Sequence, residues 1–290
     1  MNEQIQFSKS GQDHSEVDWA QKTKQDFQAA TAGNPMAMYE LASEYEEGLG
    51  REANVSRANY WYRQAMEHGY VLAKLNLGYN LVTGAGTDPD PKEGFRLLEE
   101  AAADGNPMAP MMLASIYERG LGTPQNFAKA AEYYQAVMDK SNGHVLYCQG
   151  MAYLLGSGAK QDVLLGVRYL KSAAEMGDMA GECELARCLL SGTGIKKNPY
   201  AAVKLLKKSV DLEYGPACTL LGDCRRDGQG GKQDPAEAFA LYQKATEVAS
   251  KDREALLRLA ACYRDGFGTE QDETKAAELE AMYQEQSNKA

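Results

Sequence analysis

Side chains able to carry chemistry are few in this chain, and their spacing is poor for catalysis. Three histidines, His14, His68 and His144, lie far apart, and none stands in an H-E-x-x-H or C-x-x-C frame that would gather ligands around a metal. Each reads as a surface or turn residue. Six cysteines, Cys148, Cys183, Cys188, Cys218, Cys224 and Cys262, could supply thiolates or disulfides; three of them, Cys188, Cys224 and Cys262, each stand four residues before a glycine. Without a secretory signal the default for such thiols is the reduced form. Because free cysteine is so often buried, small apolar packing is favoured over a metal site or redox sensor. Recurring G-x-G pairs invite a nucleotide reading, yet no G-x-G-x-x-G follows a strand and no G-x-x-x-x-G-K-[ST] is present. The stretch "GTDPDPKEG", residues 86–94, resembles a calcium loop only superficially, since the glycine expected sixth is missing. Asn54-Val55-Ser56 is a glycosylation sequon only in a secreted chain. No catalytic set, metal or cofactor is expected.

Composition narrows the partners. With 31 Lys+Arg against 41 Asp+Glu the formal charge is -10, which gives phosphate backbones and anionic lipid surfaces no general attraction. Neither nucleic acid nor a membrane is the expected partner. The opening "MNEQIQFSKSGQDHSEVDW" has no basic stretch followed by an apolar run, and no later window approaches the ~18 continuous apolar residues of a membrane span. The chain reads as cytoplasmic. Hydrophobic residues make up 44% and charged ones 25%, enough for a sizeable folded core.

The elements that position these side chains announce themselves by period. G-x-G pairs begin at Gly48, Gly84, Gly120, Gly156, Gly192, Gly228 and Gly266, at steps of 36 and finally 38. Each follows an apolar stripe such as Leu113, Ala114 and Tyr117, whose spacing fits one face of a helix, here called helix A. Glycine can take the left-handed conformation that ends a helix, which explains its presence in all seven copies. Six residues further stands Asn54, Asp90, Asn126, Asp162, Asn198, Asp234 or Asp272, each able to cap a new helix B. Pro91, Pro199 and Pro235 follow directly, at the first helical position where a missing N–H does no harm. Within helix B a small residue (Ala58, Gly94, Ala130, Gly166, Ala202, Ala238, Ala276) precedes by four a large one (Tyr62, Leu98, Tyr134, Leu170, Leu206, Tyr242). Helix A pairs Leu41, Leu77, Leu113, Leu185, Leu221 and Leu259 with a following alanine or glycine. One hairpin cannot shield such stripes from water, whereas stacked hairpins can.

Jointly, Leu-Ala/Gly with a following Tyr, G-x-G, the capping Asp/Asn, and runs such as "WYRQA" and "YYQAV" resemble the Sel-one-like repeat, a branch of the tetratricopeptide-type helical repeats. The resemblance covers about residues 33 to 290. It implies an all-α, right-handed superhelical solenoid of seven antiparallel helix-turn-helix repeats forming one domain, 33–290. Residues 16–32, with Trp19, Phe27, Ala29 and Ala30, read as an N-terminal capping helix, and residues 1–15 as a flexible polar N-terminus. Single positions depart from the pattern: Gln149 replaces leucine, Leu189 and Arg225 replace tyrosine, and Glu280 stands in the last repeat where Tyr or Leu is usual. An acidic side chain there suits an end that no eighth repeat covers. Cysteine-rich secreted relatives tie helix A to helix B, some being reported as penicillin-binding hydrolases; here helix B holds no cysteine.

The resemblance also implies that helix A lines the inner surface, where extended peptides lie. Positions twelve, nine, five, two and one before the glycine would face a groove, and Tyr79, Met111, Tyr147, Met151, Leu154 and Arg187 are its candidate partner-binding residues. Adaptable methionine and amphipathic tyrosine suit recognition. Tight curvature could instead pack the same side chains against one another. The functional expectation is a non-catalytic protein–protein interaction scaffold or adaptor holding a protein or peptide. An inhibitor or immunity-type protein is the alternative, and a β-lactam or cell-wall hydrolase comes behind both.

Overall fold

The computed structural model describes residues 19–248 and 253–287, and every regular element among them is an α-helix. The first fifteen residues, expected to be flexible, lie outside the described residues. Helix α1 (Trp19–Thr31) precedes fourteen further helices among the described residues, two for each repeat of the sequence. Their A helices are α2 (Pro35–Glu47), α4 (Ala73–Thr83), α6 (Met108–Arg119), α8 (Gly143–Leu155), α10 (Met179–Ser191), α12 (Gly215–Asp227) and α14 (Arg253–Asp265). The B helices are α3 (Val55–Glu67), α5 (Pro91–Ala103), α7 (Phe127–Gln135), α9 (Val163–Glu175), α11 (Pro199–Asp211), α13 (Pro235–Val248) and α15 (Glu273–Ser287). The chain divides into two compact units, one ending at Gln125 and one beginning at Asn126. In the first, α1 to α6 pack in chain order and α4 also reaches α6; in the second, α7 to α15 do the same, with α8 reaching α10, α10 reaching α12 and α12 reaching α14.

Each hairpin is made by the residues that recur. The first glycine of every pair is left-handed, for example Gly48 at φ 74°, and its N–H bonds the Glu44 carbonyl at 2.9 Å. All seven capping side chains accept an N–H three residues on, from Asn54 to Arg57 N through to Asp272 to Lys275 N, both at 3.0 Å. Helix A has caps of its own that the glycine period does not reveal: Asn34, Asn106, Asn142 and Asp178 each accept from a first-turn N–H. The second glycine joins neighbours. A Cβ on Gly86 would come within 2.6 Å of Ser56 N, and Ser56 Oγ donates to the Gly86 carbonyl at 2.6 Å, so the loop of repeat two sits on the start of α3.

The small residues of helices A and B meet. Gly78 and Gly94 face each other so closely that a Cβ on Gly94 would lie 2.6 Å from the Gly78 carbonyl, and Gly150 and Gly166 form the matching pair in repeat four. Repeats one and five place alanine on both sides, Ala42 with Ala58 and Ala186 with Ala202, all fully buried. The alternation of Ala and Gly along the sequence is thus matched across the hairpins of repeats one, two, four and five, whereas repeat six has Gly222 on helix A and Ala238 on helix B. The large residue one turn later, Tyr62, Leu98, Leu170, Leu206 or Tyr242, is fully buried.

Departures are accommodated locally. Arg225 is buried in place of tyrosine and its Nε lies 2.5 Å from Glu237 of the same hairpin. Glu280 stays partly exposed and pairs with Arg264. Helix α7 stops after nine residues; beyond it Asp139 holds Ser141 through N and Oγ, offering the backbone an alternative to another helical turn. Helix α1 packs on the first repeat: Ala30 is buried, Phe27 meets Trp61 edge-on at 6.2 Å, and Arg51 donates to the Thr23 carbonyl.

Candidate partner-binding faces

The reactive residue types are absorbed by the fold. All six cysteines are free and buried, and burial pushes the thiols of Cys188, Cys224 and Cys262 up to about 11, leaving them protonated and unreactive near neutral pH. Cys262 packs with Leu259 and Tyr242 in a local core. His68 ends α3 beside the Gln64 carbonyl. His144 is more than a turn residue: its ring stacks on Tyr147 at 5.4 Å, meets Tyr134 edge-on at 4.9 Å, and places Nδ1 3.3 Å from Asp178 Oδ2. His14 lies outside the described residues.

In the N-terminal unit the A helices carry a connected polar and aromatic layer. Glu46 accepts from the Tyr62 hydroxyl at 2.6 Å and from Asn80 Nδ2 at 3.1 Å, while Asn76 donates to Tyr62 at 2.8 Å. Asn80 also reaches Asn59, which donates to the Ala85 carbonyl at 2.7 Å, so both buried amides are satisfied. Burial, with Glu46 adding to it, raises the Tyr62 phenol far above its ordinary value and keeps it a donor. Tyr39 leans on Tyr62 and Tyr70 with centroids 5.5 and 5.0 Å apart. On this layer the candidates Tyr79 and Met111 are half-buried.

In the C-terminal unit the remaining candidates fall on two adjacent A helices. Tyr147, Met151 and Leu154 share α8, and Arg187 is on α10. Tyr147 is half-buried and its ring also meets Phe127 at 6.0 Å. Met151 and Leu154 are covered, at 8% and 9% exposure, whereas Leu155 beside them is 53% exposed. Arg187 is exposed, its Nε 3.4 Å from Glu184. Further along, Asp223 gathers the Tyr242 hydroxyl and Arg258 Nε, both at 2.9 Å, and Arg226 at 3.1 Å.

Burial divides these rows. At nine and five before the glycine, Leu75, Ser115, Met151, Cys183 and Thr219 are buried as packing, while Tyr39, Tyr79, Met111, Tyr147 and Arg187 keep surface. The position sequence reading undervalued is twelve before the glycine, where Met36 and Leu72 are large, apolar and exposed. The signal was present in the repeat alignment, since Met36, Leu72 and Met108 occupy that position in consecutive repeats.

The model of the Sel1 repeat matches seven times, at residues 35–70, 71–106, 107–136, 146–178, 180–214, 215–247 and 253–279. Among curated proteins, the ERAD-associated E3 ubiquitin-protein ligase component HRD3A of Arabidopsis thaliana is 30% identical over 152 residues, 48% of this chain and 22% of that one. The uncharacterized protein NMB1327 of Neisseria meningitidis serogroup B is 26% identical over 152 residues, 52% of this chain and 32% of its own length. The chain thus spans a third or less of these relatives. Among solved structures, c5321, a protective antigen of uropathogenic Escherichia coli with an SLR fold, superposes with TM-score 0.56 at 25% identity, over 92% of this chain and 56% of that one. A Sel1 repeat protein from Oxalobacter formigenes gives 0.57 at 26% identity, over 79% and 94%.

Proposed function

The chain belongs to the Sel1 repeat family, and from that premise we propose that it is a non-catalytic adaptor holding a segment of another protein against the A-helix faces of its repeats. One observation carries the reading: the inner rows keep Tyr39, Tyr79, Met111, Tyr147 and Arg187 at least partly exposed, although neighbouring positions of the same rows are consumed by packing. Tyrosine, methionine and arginine are the residue types over-represented where proteins meet. The surrounding scaffold supports recognition by rigidity, because Tyr62, Asn76, Asn80 and Asp223 are held in closed hydrogen-bond networks that fix the faces before a partner arrives. The name of the relative HRD3A, as a component of a ligase, also points to a part played within an assembly.

Photo-cross-linking in the native cell tests this. A cross-linking residue at Tyr79, Met111 or Arg187 is expected to yield adducts with a partner, whereas the exposed B-helix positions Tyr60, Leu164 and Tyr200 serve as controls. Met111→Ala, Tyr147→Ala and Arg187→Glu, each retaining full helicity, should weaken binding of the captured partner by about three- to tenfold. Adducts confined to B-helix positions, or unchanged affinity in all three variants, would remove the reading.

A further inference from the structure

The A-helix face of the N-terminal unit is divided into two chemistries. Its first part is apolar: twelve residues before each stop glycine stand Met36, Leu72 and Met108. Met36 is 57% exposed, Leu72 44%, and Met108 half-buried. Met36 and Met108 lie in the first turns of α2 and α6 and Leu72 directly precedes α4, and these helices are neighbours: Asn76 and Asn80 of α4 reach Tyr39 and Glu46 of α2, and α4 packs on α6. Large apolar side chains exposed in a row mark a surface that something else covers.

The second part is acidic, and its placement is unfavourable for the helix that carries it. Helix α2 has no basic residue in its last turn, yet Glu44, Glu46 and Glu47 stand there. The carbonyl end of a helix bears partial negative charge and is stabilised by lysine or arginine, so carboxylates at this end work against it. Glu44 has a structural reason, since it is buried against Lys22 and Arg51. Glu46 accepts from Tyr62 and Asn80, and Glu47 is exposed, with Ser43 Oγ 3.5 Å from its Oε1. A locally unfavourable choice of this kind is the mark of a residue kept for binding. The charge is regional too: residues 1–125 hold 18 Asp+Glu against 10 Lys+Arg, and residues 126–290 hold 23 against 21.

We propose that this face docks a basic amphipathic helix of a partner protein, its apolar side on Met36, Leu72 and Met108 and its lysines or arginines against Glu46 and Glu47. The proposal rests on the adaptor reading and gives the partner its chemistry. Spacing fits: packed helices stand roughly 8–10 Å apart, and seven residues of helix advance about 10.5 Å. Anchors one heptad apart therefore meet successive repeats. Methionine adapts to whichever aliphatic or aromatic anchor arrives, and an amphipathic helix laid in an apolar groove is an established mode of recognition. An anionic membrane, which would also accept apolar side chains, is repelled by the same carboxylates.

The test uses the full chain and a fluorescein-labelled peptide of 18 residues, about five helical turns, with leucine at heptad spacing and lysine elsewhere. Controls are an isomer of equal charge with the leucines redistributed and an analogue with glutamate for lysine. By anisotropy the heptad peptide should bind about tenfold more tightly than its isomer, and Met36→Ser and Leu72→Ser should each weaken it about three- to tenfold. Glu47→Gln should lower affinity and flatten its salt dependence while raising the melting temperature, because the helix end is relieved. Equal binding of the isomer, tighter binding of the glutamate analogue, an unaffected Leu72→Ser variant, or sedimentation with phosphatidylglycerol vesicles without peptide binding would each overturn it. If the peptide fails while native cross-links still map to A helices, the partner chemistry is wrong and the adaptor reading stands; cross-links confined to B helices remove both.

Discussion

Glu213 is the one non-glycine residue with positive φ among the described residues, at 60°. It occupies the turn from helix B to helix A, where Gly69, Gly105 and Gly177 stand in other repeats with φ between 80° and 88°. The hydrogen bonds of the turn are the same in kind: Glu213 N donates to the Val210 carbonyl as Gly69 N does to Met66, and Tyr214 N to Ser209 as Tyr70 N does to Ala65. Repeat five thus keeps the turn without the residue that suits it. A side chain in the left-handed region costs about 1–2 kcal/mol, and glycine returns about 0.5–1 of that as extra freedom in the unfolded chain. Glu213→Gly is therefore expected to stabilise the protein by about 0.5–1 kcal/mol, seen as a higher urea midpoint in far-UV circular dichroism. A lower midpoint would mean that the Glu213 side chain contributes more than its backbone costs. Stops and caps were readable in sequence for the same reason that this exception is visible: a backbone requirement met by one or two residue types leaves its record at a fixed place in every repeat. Exposure leaves no such record. Met151 and Tyr147 are both large residues on the same inner rows, and only the packing of neighbouring helices covers one and leaves part of the other open.

Helix α1 meets its neighbours at a charge cluster around the buried Glu44. Lys22 lies 2.5 Å from Asp26 on its own helix and 3.3 Å from Glu44 of α2, and Arg51, from the loop after α2, lies 3.1 Å from Glu44. The helical pattern of Trp19, Phe27 and the alanines is visible in sequence, but the burial of Glu44 is not, because nothing in "ELASEYEEG" separates a buried glutamate from its exposed neighbours. Burial first, and then the hydrogen bond with Asp26, push the Glu44 carboxyl up to about 7, with Lys22 opposing. The folded-state value thus lies above the ordinary 4.5, so the folded protein holds a proton that the unfolded chain gives up. That contribution is complete below about pH 4.5 and is lost as pH rises through about 7. Docking of α1 should accordingly be firmer at pH 6 than at pH 8, by on the order of 1 kcal/mol, as read from amide exchange in residues 19–31 after correction for the intrinsic rate. Glu44→Gln is expected to flatten that dependence; a wild-type slope in the variant would assign it to another group.

For the molecule as a whole, repetition makes stability a sum over neighbours. Each hairpin buries its stripe only against the adjoining ones, so a lesion should be felt most where it is made. The tryptophans, Trp19 and Trp61, provide a local probe at one end of the array, and Trp61 packs against the core that contains Leu41. Circular dichroism, by contrast, reports all the helices together. Leu41 and Leu206 are fully buried, in repeats one and five, and truncating either to alanine should cost about 2–5 kcal/mol. Leu41→Ala is expected to move the tryptophan-fluorescence midpoint in urea further than the circular-dichroism midpoint. Leu206→Ala should do the reverse, lowering the ellipticity transition while leaving fluorescence close to that of the unaltered chain. Coincident curves from both probes in both variants would show that the repeats unfold as one cooperative body, and the additive account would then fail. If the two curves separate as expected, a partner that binds only the N-terminal face should raise the fluorescence midpoint and leave the later part of the ellipticity transition where it was, because binding stabilises only the repeats that it touches and those coupled to them.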